Sequence, residues 1–160
     1  MSEHRATVRW TMSPTGDFLK GTFSRAHTWS FDGGVTVPAS ASPHVVPKPY
    51  SVEANVDPEE AFVASLSSCH LLTYLYLAFK AGYEIESYED EAVGSLTKNE
   101  RGVLWVSTVV LKPRIVYKGT TKPSRADEDR LHHAAHEQCF ISNSVKTEVT
   151  VQMAQEVEHR

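Results

Sequence analysis

A mixed α+β fold is what this sequence predicts, on three observations. Segments that alternate polar and apolar residues, the two-residue period of a half-buried strand, occur in both halves of the chain. Two stretches with helix start and stop signals separate them. One of these carries Leu71-Leu72-Thr73-Tyr74-Leu75-Tyr76-Leu77-Ala78-Phe79, apolar almost all round, as in a helix enclosed at the centre of a fold. The predicted order is β-β-β-α-β-β-α-β, and strand groups separated by single helices point to α+β architecture. The 160 residues, 41% hydrophobic and 22% charged, suit a single folded domain over residues 1–160 with its own core.

Each element has a local reason. Residues 4–12 put Ala6, Val8, Trp10 and Met12 on one face of a strand. Ser13-Pro14-Thr15-Gly16-Asp17 is dense in turn formers. Residues 21–31 alternate again, with Phe23, Arg25, His27, Trp29 and Phe31 sharing a face. Asp32-Gly33-Gly34 marks a tight turn before a short strand over 35–37. Residues 38–56 hold four prolines and no clear period, which predicts a long loop acting as a cover or as an arm crossing to another subunit.

Asp57 is a good N-cap, Pro58 fits the first helical position and Glu60 completes a capping-box spacing. That helix runs to about Ala81, where Gly82 can stop it. Residues 84–97 and 103–117 read as two strands joined by 98–102. A second helix spans 124–138, with Ser124 as cap and Asp127, Glu128 and Asp129 in its first turns. Residues 145–157 read as a closing strand.

A net charge of −4 leaves no basic surplus for a phosphate backbone, so nucleic acid is not an expected partner. The start MSEHRATVRW lacks the apolar core of a signal peptide, and the most apolar run is nine residues, where a membrane span needs about 20. A cytoplasmic protein without membrane attachment is the expectation. In that reducing compartment a permanent disulfide is disfavoured, which leaves two readings of Cys69 and Cys139: inert buried thiols or a transient catalytic pair. Both fall on helices, Cys69 within the first and Cys139 at the end of the second. A thiol that attacks a peroxide must be a thiolate, so a cation is wanted beside it and a carboxylate to hold that cation.

Residues 57–70, Asp57-Pro58-Glu59-Glu60-Ala61-Phe62-Val63-Ala64-Ser65-Leu66-Ser67-Ser68-Cys69-His70, resemble the first-cysteine signature of the OsmC/Ohr family. Residues 134–145, with Cys139-Phe140-Ile141-Ser142, resemble the second. Element order matches over nearly the whole chain. The resemblance implies an OsmC-like fold, an intertwined homodimer whose central helices are wrapped by antiparallel sheets. It implies thiol-dependent reduction of organic hydroperoxides or hydrogen peroxide with no cofactor and no metal. Cys69 would become a sulfenic acid and Cys139 would resolve it as a disulfide. A dithiol, a lipoylated protein in the Ohr branch, would reduce the enzyme.

Glu59 holds the family position of the carboxylate that orients an arginine. Ten residues of straight helix rise about 15 Å, so Glu59 is expected to reach Cys69 only from a partner subunit. The family's arginine is absent here. Asp17, Phe18 and Leu19 stand in the first of its usual places, and residues 26–58 contain no Arg. Arg25, expected mid-strand and inward, is the substitute. The second signature usually reads Cys-Pro-x-Ser, and here Phe140 replaces the proline, which suggests a separate OsmC-like branch. Phe62, His70 and Phe140 are the candidate substrate pocket.

Other readings compete. Cys69, His70, His136 and Cys139 are potential zinc ligands, but neighbours on a helix point about 100° apart, which keeps Cys69 and His70 from one ion. Cys69 with His136 could form a nucleophile–base pair, with no oxyanion-hole signature beside it. Trp29, Phe62, Tyr74, Tyr76 and Phe79 could line a cavity in a non-enzymatic ligand- or metal-binding dimer, or simply form core. His132 and His133 read as surface residues of the second helix.

Overall fold

A computed structural model describes residues 1–154 and the backbone of 158–159. The chain forms two compact units, residues 1–61 and 62–160.

The first unit is an antiparallel sheet, order β1-β2-β3, made of β1 (Ala6–Arg9), β2 (His27–Phe31) and β3 (Thr36–Ala39). Val8 lies opposite Trp29, which lies opposite Val37. The strand expected over 21–31 begins only at His27. Before it, Asp17 and Thr22 close a small turn, and the Arg25 N–H donates to Tyr50 O at 2.8 Å, which spends that backbone donor outside the sheet. The apolar residues upstream form an aromatic cluster instead: Phe18 stacks on Phe23 at 4.9 Å, and Trp10 meets Phe23 edge-on at 5.6 Å. The proline-rich segment has no regular structure but is anchored. The Ser40 N–H donates to Val56 O at 3.0 Å, the Val52 N–H to Ser40 Oγ at 2.9 Å, and Asn55 Nδ2 to Ala39 O at 3.2 Å.

Helix α1 (Pro58–Ala81) starts and stops where expected. Asp57 Oδ1 accepts from the Glu60 N–H at 2.8 Å while Glu60 Oε2 accepts from the Asp57 N–H at 3.1 Å, a complete capping box. Gly82 at φ +80° ends the helix, with its N–H on Phe79 O and that of Tyr83 on Ala78 O.

In the second unit the two expected long strands are each broken. Residues 84–97 divide into β4 (Glu84–Asp90) and β5 (Val93–Lys98), and 103–117 into β6 (Leu104–Leu111) and β7 (Pro113–Lys118). β4 pairs with β7 and β5 with β6, so one bent hairpin feeds two sheets. The corner is held by Asp90, whose Oδ1 accepts from the Lys112 N–H at 2.6 Å and whose Oδ2 accepts from Ser67 Oγ at 2.5 Å. The sheets are mixed, not antiparallel throughout: β8 (Glu148–Val151) runs parallel to β6, and β9 (Glu158–His159) parallel to β7. The strand expected over 145–157 is thus only β8 in its described part, preceded by a 3-10 turn at Ser142–Ser144, and residues 155–157 lie outside the described residues.

Helix α1 bridges two cores. Tyr74 and Ala78 pack with Ile115 and Tyr117 of β7 and Ala135 of helix α2 (Arg125–Gln138). Leu66 packs with Val109 and Leu111 of β6 and Val149 of β8. Each large apolar side chain buried this way contributes about 1.5–3 kcal/mol. β5 passes so close to α1 that a Cβ on Gly94 would stand 2.5 Å from Val63 Cγ2, which explains a glycine inside that strand.

The expectation that α1 is enclosed holds on one side. Leu66, His70, Tyr74 and Ala78 are buried, whereas Leu72, Leu75, Tyr76 and Phe79 are exposed in the single chain, because no element among the described residues of the second unit covers that face. By length and composition alone α1 is also apolar enough to cross a membrane, a test that core helices pass as well.

Candidate active site

Cys69 and His70 are neighbours on α1, and each meets a residue of α2. The buried residues of α2 are Glu128, His132 and Ala135, and buried Cys139 at the C-cap continues that three-to-four spacing. Ser124 starts α2 with a capping box shared with Asp127, as the sequence predicts. Cys69 and Cys139 are free thiols close enough to act on each other's protonation, although they are 70 positions apart in the chain. One position along α1, His70 Nε2 lies 3.0 Å from His132 Nδ1.

The thiols differ in access. Cys69 is half-buried and Cys139 is sealed from solvent. Burial pushes the Cys69 thiol up, and the bond to Cys139 adds to that push, while the N–H groups of Ile141 and Phe140 work the other way. Burial also acts to raise Cys139, but the bond from Cys69, the Ser142 side chain and the N–H groups of Ser142 and Ile141 outweigh it and hold that thiol below its usual range. In the single chain, therefore, the proton of the pair is favoured on Cys69. Ser142 N lies 3.4 Å from Cys139 Sγ. Asn143 Nδ2 fixes the turn by donating to Glu137 O and Cys139 O, both at 2.9 Å.

The imidazole pair is a different object. Burial lowers the pKa of His70 to about 4, with Asp90 opposing and His136 assisting that fall. Burial lowers His132 to about 3, helped by His70 and Arg125. Both rings are neutral near pH 7. His132 is thus not the surface residue expected from sequence, because it lies on the buried stripe, while His133 is exposed and pairs with Glu137 at 3.3 Å. Beyond His132 the polar core continues: Tyr74 lies against the His132 ring at 4.3 Å, its Oη is 2.5 Å from Tyr117 Oη, and Tyr117 Oη donates to Glu128 Oε1 at 3.0 Å.

The residues proposed for a substrate pocket have three different surroundings. Phe62 packs on the Leu66–Val109–Leu111 core, His70 is buried against His132, and the Phe140 side chain stands in solvent. Among the described residues no group of three or more His, Cys, Asp or Glu side chains is arranged to hold a metal ion. Sequence reasoning missed the donor to the Cys139 sulfur, because it is the backbone N–H of Ser142 and side-chain patterns do not report where an N–H points.

The first unit contains the other candidates. Arg25 lies in the coil before β2, not mid-strand, because its N–H is taken by Tyr50 O. Its guanidinium sits 3.8 Å from the Phe23 ring centroid, and Nη1 donates to Gly21 O at 2.9 Å and Phe23 O at 2.5 Å. It borders a cavity of about 410 Å³ walled by Val8, Trp10, Phe18, Phe23 and Pro58. Glu59 is half-buried, and its Oε2 has no hydrogen-bond partner.

Comparison with known proteins agrees with this architecture. The model of the OsmC-like protein family matches residues 52–154. An OsmC-like protein of unknown function from Vibrio cholerae is 56% identical, with a TM-score of 0.94 over 96% of this chain and 100% of that one. Two more distant structures share the fold. The organic hydroperoxide resistance protein OhrB of Bacillus subtilis is 21% identical, with a TM-score of 0.64 over 96% of this chain and 98% of that one. The organic hydroperoxide resistance protein OsmC from Legionella pneumophila is 17% identical, with a TM-score of 0.67 over 96% of each chain. No curated protein sequence matches.

Proposed function

The chain belongs to the OsmC-like protein family, and from that premise we propose that it is a two-cysteine peroxidase acting on organic hydroperoxides or hydrogen peroxide. One observation carries the reading: two free thiols, one on α1 and one at the end of α2, lie close enough to act on each other's protonation. Cys69, the accessible one, attacks. Its sulfur lone pair bonds to the terminal peroxide oxygen, the O–O bond breaks, and the alkoxide leaves and takes a proton as alcohol. The Cys69 sulfenic acid then meets the Cys139 sulfur. The S–S bond forms, and the hydroxyl leaves with the Cys139 proton as water. An external dithiol, such as a lipoylated protein, returns two electrons by exchange.

A single chain does not favour the Cys69 anion, so a cation has to come from elsewhere. In this reading it is Arg25 of the partner subunit, oriented by Glu59 of the partner subunit. Helix α1 is unbroken through residues 59 to 69, which keeps the chain's own carboxylate about 15 Å away along the axis. The exposed face of Leu72, Leu75, Tyr76 and Phe79 supports a homodimer, and the cavity beside Arg25 suits the apolar tail of a bulky hydroperoxide. That cavity also fits a second reading, a non-enzymatic binder of small apolar ligands.

Turnover separates the two. With dithiol and cumene hydroperoxide, the wild-type chain consumes peroxide continuously, Cys69→Ser consumes none, and Cys139→Ser completes one turnover before mass spectrometry finds Cys69 over-oxidised. Undiminished turnover in Cys69→Ser rejects the peroxidase. A fully active monomer by light scattering rejects the shared site.

A further inference from the structure

Tyr74, Tyr117 and Glu128 come from α1, β7 and α2 and meet inside the second unit. The two phenols are fully buried, and the carboxylate is only 6% exposed. Tyr117 Oη donates to Glu128 Oε1 at 3.0 Å. A phenol has one hydrogen to give, so across the 2.5 Å between Tyr117 Oη and Tyr74 Oη it is Tyr74 that donates. The result is a one-way chain of donors that ends on a carboxylate. Burial pushes both phenols well above their ordinary range, so neither gives up its proton near neutral pH while it keeps its electrons. Tyr88 is the contrast. Its ring lies 5.9 Å from that of Tyr74, yet its buried Oη has no hydrogen-bond partner among the described residues.

We propose that Tyr117 is a redox-active tyrosine, a one-electron donor whose proton is taken by Glu128. A phenol that loses an electron becomes a strong acid, and an unpaired cation is costly in a buried site, so the electron leaves only where the proton has an acceptor. At Tyr117 the electron goes to the oxidant, the O–H bond breaks, and the proton crosses to Glu128 Oε1. A neutral phenoxyl radical and a carboxylic acid remain, so the step leaves no charge on either group. The Tyr74 O–H donates to the radical oxygen and steadies it. Tyr88 has the same ring without an acceptor and stays reduced. The oxidants that fit are strong one-electron acceptors, such as organic peroxyl radicals. With that electron and a proton from water, a peroxyl radical leaves as a hydroperoxide. A thiol or another one-electron reductant then restores Tyr117, and the proton returns from Glu128. Passing the hydroperoxide on to Cys69 rests on the peroxidase reading; the radical itself does not.

The test needs no peroxide. The full chain is oxidised with photogenerated tris(bipyridine)ruthenium(III), frozen, and examined by electron paramagnetic resonance. Wild type is expected to hold a long-lived tyrosyl signal, and Tyr88→Phe is expected to match it. Glu128→Gln keeps the shape but cannot take the proton, so it is expected to lose the long-lived signal while its circular dichroism stays that of wild type. Tyr117→Phe weakens the core, so the residue is identified instead in a chain carrying 3-fluorotyrosine at position 117. There fluorine hyperfine splitting is expected to mark that ring as the carrier of the unpaired spin. No long-lived signal in wild type, a full signal in Glu128→Gln, its loss in Tyr88→Phe, or an unsplit signal in the fluorinated chain overturns the proposal. A wild-type chain that forms the radical but consumes no hydroperoxide upholds it and sinks the peroxidase.

Discussion

Cys69 and His70 are adjacent on α1, and each reaches across to α2, yet the two bridges have opposite character. The thiol pair is half open on the Cys69 side and meets the Ser142 N–H at 3.4 Å on the Cys139 side. The imidazole bridge is sealed, neutral, and continuous with a buried polar core through Tyr74, Tyr117 and Glu128. A 100° turn of the helix separates them. Access distinguishes them: one pair is open to a small molecule on one side, and the other is closed within the fold.

The contrast predicts an exchange of phenotypes. His132→Ala opens a cavity and strands a buried His70 nitrogen, so it is expected to cost about 3 kcal/mol in denaturant unfolding. Cys69→Ser, at the half-open position, is expected to cost less than about 1 kcal/mol while removing turnover. The reverse pattern would break the contrast.

Acid sharpens it. An unfolded histidine titrates near about 6.5, above the folded values of about 4 for His70 and about 3 for His132, so between those limits the unfolded chain binds more protons. This contribution to stability is intact above pH 6.5 and is lost as pH falls toward 4 and then 3, at no more than about 1.4 kcal/mol per pH unit for each ring. Unfolding midpoints measured from pH 8 to pH 4 should show that slope, and His132→Asn should flatten it. Tyr117→Phe, which removes the donor to buried Glu128 and the partner of Tyr74, is expected to cost about 2 kcal/mol. The smallest effect is at the surface: Ser124→Ala breaks the α2 capping box for about 1 kcal/mol.

What the sequence made legible follows from how local each signal is. Asp57 with Glu60, Gly82, and Ser124 with Asp127 act within one helical turn, so both helices could be bounded from residues alone. The two cysteine motifs, each tied to a helix, made an approach of Cys69 and Cys139 reachable, and the structure sets the two thiols within each other's influence. The break between β4 and β5 was invisible because it depends on Asp90 meeting Lys112 and Ser67, which lie 22 and 23 positions away. His132 was misread because a histidine on a polar helix looks the same whether its partner is water or His70. Arg25 shows a third limit: its alternating neighbours imitate a strand, and only the bond to Tyr50 reveals that the backbone is spent elsewhere.

The carboxylate at that sheet corner sets one more constraint. Both oxygens of Asp90 accept hydrogen bonds, one from the Lys112 N–H at the break between β6 and β7 and one from the Ser67 hydroxyl on α1. An alanine there would lose both bonds at the joint from which two sheets diverge, and loosen the hold on the helix that bears Cys69. The placing of the helical turn that carries Cys69 therefore depends on a half-buried carboxylate from a different strand of the chain, bonded to α1 two residues away from that cysteine.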